Sequence, residues 1–489
     1  MAHRPLAWAA MSRRTKIVAT IGPASDDPAV LAAMVEGGMN AARVSLAHGS
    51  LEEALARMAR IRAVTGDALI GVLGDLPGPK IRAEAFPGGG VQLTEGSLVE
   101  LVTGNGQEGS GDRRIAVDHP GALGALRVLD RISLGDGAVE LLVRQVGPDQ
   151  AKAEILSGGW VQGRPGLALP SGSLTLASPT PKDLRLLEAL AEAGIDAVAI
   201  SFVRSASDIL RARAAVGDGG PMLIAKIETQ EAVDALEEII AVADGVMVAR
   251  GDLGIRCTLE DVPHHQKRII RTGVAFGRPV ITATQMLESM VRAPAPTRAE
   301  VSDVANAVFD GTSALMLSGE TAIGHDPVAA VRTMARVALR AEQEFDYDRW
   351  GRNLGRQQTD EAQGAPARDR ITAAISAAAW RAATDAEVVA IIACTENGNT
   401  ARAISRFRPT VPVLAATPSL ATARQLSVGW GITAMLTDRH RTTDDIVWFA
   451  VQAATRSGAV GAGDLVAVVV GSPTGPDAVA DTLRLVRVQ

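Results

Sequence analysis

From Lys16 onward, short apolar runs alternate with stretches whose apolar positions recur every three or four residues. The runs Ile17–Ile21, Ala41–Leu46, Leu69–Leu73, Ala197–Phe202, Leu223–Ile227, Gly245–Ala249, Val280–Ala283 and Ala314–Leu317 have the composition of strands buried on both faces. Between them, segments such as Pro181–Ala193 and Glu260–Ala275 carry the amphipathic period of helices. Strand–helix alternation predicts parallel strands joined by right-handed crossovers. Eight such strands predict a closed (β/α)8 barrel, whose working face lies at the strand C-termini.

One long interval breaks this alternation. After the third strand come Gly- and Val-rich residues with turn signals at Pro87-Gly88-Gly89-Gly90, Gly104-Asn105-Gly106 and Gly135-Asp136-Gly137, and short β runs at Ala138–Val143 and Ala151–Ile155. The interval predicts a small β-barrel lid domain over 82–177, inserted into a catalytic barrel built from 15–81 and 178–345. Residues 1–14 read as an N-terminal extension and 346–368 as a polar linker. Strand runs resume at Val388–Ala393, Val411–Ala415, Ala434–Leu436 and Leu465–Val470, which predicts an open α/β domain over 369–489.

Composition narrows the function. The 489 residues are 47% apolar and 21% charged, with a net charge of -6, so no basic footprint for nucleic acid or an anionic membrane is present. No apolar run approaches the ~20 residues of a membrane span. Cys257 and Cys394 stand far apart, which gives no disulfide framework and points to a reducing, cytoplasmic setting.

Charges inside the apolar runs carry the chemistry. Lys226 and Glu228 follow Leu223-Ile224-Ala225 and share a face by the period of two; Arg250 and Asp252 continue the next run and are expected to do the same. An ammonium and two carboxylates at strand ends suit a divalent cation and a phosphorylated acid. A buried ion-pair network closing the barrel mouth is the alternative. Arg43 and Ser45 share a face at the end of the second strand, where an arginine suits bidentate phosphate contact. His48 reads first as a capping or packing residue, and Thr284 as a strand-end hydroxyl that becomes a candidate for proton delivery opposite the carboxylates. Lys80 and Arg82 follow the Gly-Pro turn Gly74–Pro79, a hinge for the insert. Thr297 and Glu300 have capping-box spacing. In the last domain Thr395, Asn397, Gly398 and Thr400 lie between a strand and a helix, where an anion pocket and an ordinary N-cap loop weigh equally.

Taken together, the strings MNAARVSLAHG (39–49), GDLPGPKIR (74–82), IAKIET (224–229), DGVMVARGDLG (244–254), GRPVITATQMLESM (277–290), PAPTRAEVSDVANAVFDGTSALMLSGETA (294–322) and TENGNTARAISRFRP (395–409) resemble the pyruvate kinase family in order and spacing. The resemblance implies transfer of the phosphoryl group of phosphoenolpyruvate to ADP, and a homotetramer. It implies that Lys226 stabilises the transferring phosphoryl group and that Glu228 and Asp252 hold Mg2+ or Mn2+. Gly251, Asp252 and Thr284 would bind the substrate carboxylate, Arg43 the phosphate, and Arg82, His48 and Arg164 the nucleotide side. The Thr395–Thr400 loop would bind a phosphorylated effector.

The chain departs from the family at the potassium site, where Ser45, Ala47 and Leu76 accompany Asp75, and Lys80 stands where potassium-requiring members carry Glu. An ammonium in that place implies that K+ is not required. Arg256, Ser313 and the shortened Gly163-Arg164-Pro165-Gly166 segment are further departures. Two other readings share the carboxylate pair: a Mg2+-dependent lyase or aldolase acting through a pyruvate enolate, and a divergent non-catalytic paralogue that senses a phosphorylated metabolite.

Overall fold

Eight parallel strands close into a barrel in chain order: β1 (Lys16–Thr20), β2 (Ala41–Ser45), β3 (Gly71–Asp75), β4 (Ala197–Ile200), β5 (Met222–Ile227), β6 (Gly245–Ala249), β7 (Val280–Ala283) and β8 (Ala314–Leu317), which pairs back to β1. This computed structural model describes residues 13–489 except 48, 107–108, 136, 170–175, 362–366 and 472–478, and describes no side chains at 357–361 and 367–369. Alternation sorts each strand between two cores. Val18, Ala41, Leu73, Met222, Ile224 and Met316 fill the barrel interior, whereas Ile17, Ala42, Val72, Leu223 and Leu315 pack outward under the helices. The same period carries the inward file of β5 from Ile224 to Lys226, and that of β3 from Leu73 to Asp75. It therefore delivers charge to one end of the barrel.

Between β3 and β4 the chain forms a curled six-stranded sheet, in the order Leu167–Ala168, Arg131–Leu134, Val139–Val146, Gln150–Ser157, Leu98–Thr103 and Arg114–Val117, with a separate ribbon of Val91–Leu93 and Gly159–Val161. Its own core includes Leu101, Ile132, Leu141 and Ile155. Gly78 takes φ +65° in the turn entering this domain, and a Cβ there would meet Phe202 and Ser201 at 2.8 Å, so the turn lies flat on the barrel rim.

The last domain is a five-stranded sheet. β9 (Ala390–Cys394), β10 (Val413–Thr417), β11 (Ile432–Leu436) and β12 (Leu465–Gly471) are parallel in the order β11-β10-β9-β12, and β13 (Ala480–Arg487) closes the edge antiparallel to β12. The sequence reading lacked β13, whose alternation is obscured by half-exposed residues on both faces. It also took 346–368 for a linker, yet Tyr347–Glu361 is a helix. The reason is two anchors in a polar segment: Leu354 is buried, and Trp350 Nε1 donates to Arg406 O at 2.9 Å.

The chain entering β1 fastens the barrel to this domain. Arg14 donates to Pro409 O and Thr410 O, and Lys16 Nζ donates to Ile432 O at 2.7 Å. Glu342 accepts the backbone N–H groups of Arg14 and Thr15. Arg13 and Arg14, expected in a free extension, are thus part of the fold, whereas residues 1–12 lie outside the described residues.

Candidate active site

Four inward strand positions build one interlocked group at the barrel's C-terminal end. Asp75 is almost fully buried and accepts from Arg43 Nε at 2.7 Å on one oxygen and from Lys226 Nζ at 3.1 Å on the other. Arg43 Nη1 donates to Thr20 Oγ1 at 2.9 Å. Lys226 Nζ also donates to Ser201 Oγ at 2.7 Å and lies 2.9 Å from Glu228 Oε1. Burial works against the Lys226 ammonium, but Asp75, Glu228 and Asp252 together hold its pKa above the ordinary lysine value. Burial likewise opposes the Asp75 carboxylate, and the adjacent Lys226 and Arg43 overcome it, so Asp75 stays below the usual range. Both groups are fixed in their charged forms.

Glu228 has the opposite balance. It is fully buried, and burial, reinforced by the Asp252 charge, pushes its carboxyl up against the pull of Lys226 and the Phe202 N–H. Phe202 N donates to Oε2 at 2.7 Å, while buried Oε1 faces Lys226 without the alignment of a hydrogen bond. Asp252 is partly exposed, with Lys80 Nζ 3.9 Å from its Oδ1. A buried carboxylate oxygen that meets one ammonium and feels the charge of a second carboxylate fits a cation that takes one or two protein carboxylates and fills its shell with other oxygens. Among the described residues no group of three or more His, Cys, Asp or Glu side chains gathers as a metal site.

The rim residues follow a different geometry from the one expected. β6 ends at Ala249, and Arg250–Arg256 is a helix, so Arg250 and Asp252 diverge instead of sharing a face. Arg250 turns away to Asp303 at 2.6 Å and to Thr284 O at 2.6 Å. Gly251 N donates to Thr284 Oγ1 at 2.8 Å, and Thr284 Oγ1 donates to Ala283 O at 2.6 Å. Thr284 and Gln285 hold φ values of +67° and +53°, and Phe202 holds +55°. Left-handed backbone at a β-branched residue costs of order 1–3 kcal/mol and gathers where the surroundings impose it. Here it aims the Thr284 hydroxyl at Gly251 and the Phe202 N–H at Glu228.

Comparison with known proteins decides the family. Residues 12–331 match the family model "Pyruvate kinase, barrel domain", and 373–486 match "Pyruvate kinase, alpha/beta domain". The chain belongs to the pyruvate kinase family. It is an enzyme of the phosphotransferase class. A protein of Geobacillus stearothermophilus named pyruvate kinase is 41% identical over 474 residues, spanning 95% of this chain and 78% of its own length. One from Clostridium acetobutylicum, also so named, is 38% identical over 483 residues, spanning 98% of this chain and 99% of its own. A Staphylococcus epidermidis pyruvate kinase is 40% identical over 479 residues.

Against the positions the family resemblance singles out, Lys226, Glu228, Arg43 and Asp75 are in direct contact, and Asp252 lies close enough to act on the charge of Lys226 and Glu228. Ser45 pairs in register with Asp75, but its hydroxyl accepts from Ala47 N at 3.4 Å. His48 lies outside the described residues. Arg82 and Arg164 meet at the root of the inserted domain: Arg82 Nη1 donates to Arg164 O at 3.1 Å, and Asp118 binds both Arg82 N and Arg164 Nη2. Sequence reasoning missed Thr20, Ser201 and Asp118. For Ser201 a signal existed, a hydroxyl at the end of an apolar run within ISFVRSASDI (200–209).

In the last domain Thr395, Asn397 and Thr400 line a cavity of about 740 Å³ with Arg439, His440 and Arg441. Gly398 does not line it; its N–H donates to Thr395 Oγ1 at 2.9 Å. Glu396 pairs with Arg439 at 3.0 Å, and His440 stacks on Phe449 with centroids 3.9 Å apart.

Proposed function

We propose that this chain transfers the phosphoryl group of phosphoenolpyruvate to ADP, giving pyruvate and ATP, and that it does so without K+. The observation that carries the reading is the Arg43–Asp75–Lys226–Glu228 chain of contacts, with Asp252 close enough to act on the charges of Lys226 and Glu228. A phosphorylated acid entering there meets the Lys226 ammonium, held in its charged form, and the Arg43 guanidinium. Lys226, fixed by Asp75 and Ser201, stabilises the phosphoryl group in transfer, and Arg43, fixed by Asp75 and Thr20, orients it. A divalent cation, Mg2+ or Mn2+, held by Glu228 and Asp252, would supply positive charge to substrate oxygens. Thr284 and Gly251 bind the substrate carboxylate, and the Thr284 hydroxyl lies on the path of the proton delivered to the enolate. Arg82 and Arg164 serve the nucleotide side.

The potassium reading rests on two facts. Both Asp75 oxygens are engaged by side-chain cations, and Lys80 brings an ammonium within 3.9 Å of Asp252. A monovalent ion would add positive charge where one already stands. We further propose a cytoplasmic homotetramer regulated by a phosphorylated metabolite at the Thr395–Thr400 cavity, where Arg439 and Arg441 supply the charge for it. The test is a pyruvate-coupled assay with phosphoenolpyruvate, ADP and Mg2+, run with K+ and with a bulky inert cation. Turnover is expected in both, differing by less than about tenfold. Absence of turnover would reject the reaction and favour the lyase or non-catalytic readings; a tenfold or greater gain with K+ would reject K+ independence alone.

A further inference from the structure

Phe202 stands where three elements of the barrel rim meet. It lies just beyond β4, is buried, and holds φ at +55°. A left-handed backbone is costly for a bulky residue, so its surroundings must impose it. The Phe202 N–H donates to Glu228 Oε2 at 2.7 Å, and the adjacent Ser201 Oγ accepts from Lys226 Nζ at 2.7 Å. Two successive residues thus hold both the carboxylate and the ammonium of the site.

The Phe202 ring is confined from two directions. On one edge runs the turn that enters the inserted domain, where a Cβ at Gly78 would stand 2.8 Å from Phe202 Cδ2. Over the ring lies the Arg256 guanidinium, 4.9 Å from the centroid and within reach of a cation–π contact. Arg256 ends the helix Arg250–Arg256, one turn beyond Asp252. The stack therefore ties the helix that carries Asp252 to the segment whose N–H holds Glu228. Glu228 itself follows β5, so the two carboxylates come from separate elements. A small divalent cation is exacting about the placement of its oxygens, and a link between those elements bears directly on it.

We propose that Arg256 is a positioning residue for the divalent-cation site: stacked on Phe202, it holds Asp252 and Glu228 in one fixed arrangement. This rests on the reading of those two carboxylates as the ligands of Mg2+ or Mn2+. Arg256 is one of the places where the chain departs from its family. The effect has the opposite sign to plain electrostatics. A guanidinium near a cation site repels the ion, so by charge alone the loss of Arg256 would tighten binding. By positioning, its loss frees the Phe202 ring, loosens the N–H on Glu228 and weakens binding.

The test is titration of the full chain with Mn2+ in the absence of substrate, with the free ion followed by electron paramagnetic resonance. The unaltered protein is expected to bind Mn2+, and Glu228→Gln to weaken that binding at least tenfold. Arg256→Met should raise the Mn2+ dissociation constant about fivefold, whereas Arg256→Lys, which keeps a cation for the ring, should stay within about twofold of the parent. Phe202→Leu should match Arg256→Met, and the double variant should lose no more than either alone. Unchanged or tighter Mn2+ binding in Arg256→Met would overturn the positioning role, and so would additive losses in the double variant. Thermal unfolding of the cation-free variants separates a merely structural contact, which lowers Tm and leaves the titration unmoved. A parent that binds no Mn2+ would instead remove the cation reading of Glu228 and Asp252, and the role of Arg256 with it.

Discussion

The two ends of the barrel bury cations in different ways. At the mouth, Arg43 and Lys226 share Asp75, and Lys226 also meets Glu228, so side-chain charge answers side-chain charge. At the base, Arg402 and Arg408 rest on carbonyl oxygens and an indole face. The first arrangement fixes direction, because the two Asp75 oxygens face different cations. The second satisfies some N–H groups and leaves Arg402 Nη1 and Arg408 Nε and Nη1 without acceptors. The mouth should therefore be sensitive to single changes in its residues.

The largest break expected at the mouth is Lys226→Met. On the proposed reading it lowers phosphoryl transfer by ~10³-fold or more while enolate protonation stays measurable, because the two steps use different groups. Turnover and the exchange of pyruvate methyl protons with solvent, measured side by side, separate these; equal loss of both assigns Lys226 another role. A smaller change sharpens the cation argument. Lys80→Glu should create a K+ requirement, seen as at least a tenfold activation by K+ that the parent lacks, and a variant indifferent to K+ would remove Lys80 from the argument. Smallest is Ser201→Ala, which takes away the hydroxyl between Lys226 Nζ and Leu76 O. It should cost about 1 kcal/mol of unfolding free energy and lower kcat about tenfold, with the KM for the phosphorylated substrate nearly unchanged. A rise in KM without a fall in kcat would mean that Ser201 contributes to binding alone.

The barrel and the main members of its mouth were legible because strand periodicity is a short-range property. Once Ile224 is placed inside, Lys226 must be inside too, and Asp75 follows Leu73 by the same rule. Arg250 defeated that rule because the strand stops at Ala249 and a helix begins, and nothing in the apolar pattern marks the change. Asp118 was illegible for another reason: its partners Arg82 and Arg164 lie 36 and 46 residues away in the chain, and only closure of the fold brings them together. The helix at Tyr347–Glu361 was hidden by its polar composition, since two buried anchors suffice to seat it. Gly398 shows the limit of motif reading in the last domain, for it shapes the loop without facing the cavity.

The strap formed by Arg14, Thr15 and Lys16 bears on any attempt to dissect the molecule. Cutting the chain before the last domain would leave the Lys16 ammonium without Ile432 O and the Arg14 guanidinium without Pro409 O and Thr410 O, at the threshold of the first barrel strand. That strand ends at Thr20, whose hydroxyl steadies Arg43. A truncated barrel would thus begin its defect at one end of the five-residue strand whose other end carries Thr20, and the terminal domain is better regarded as part of the foundation than as a detachable module.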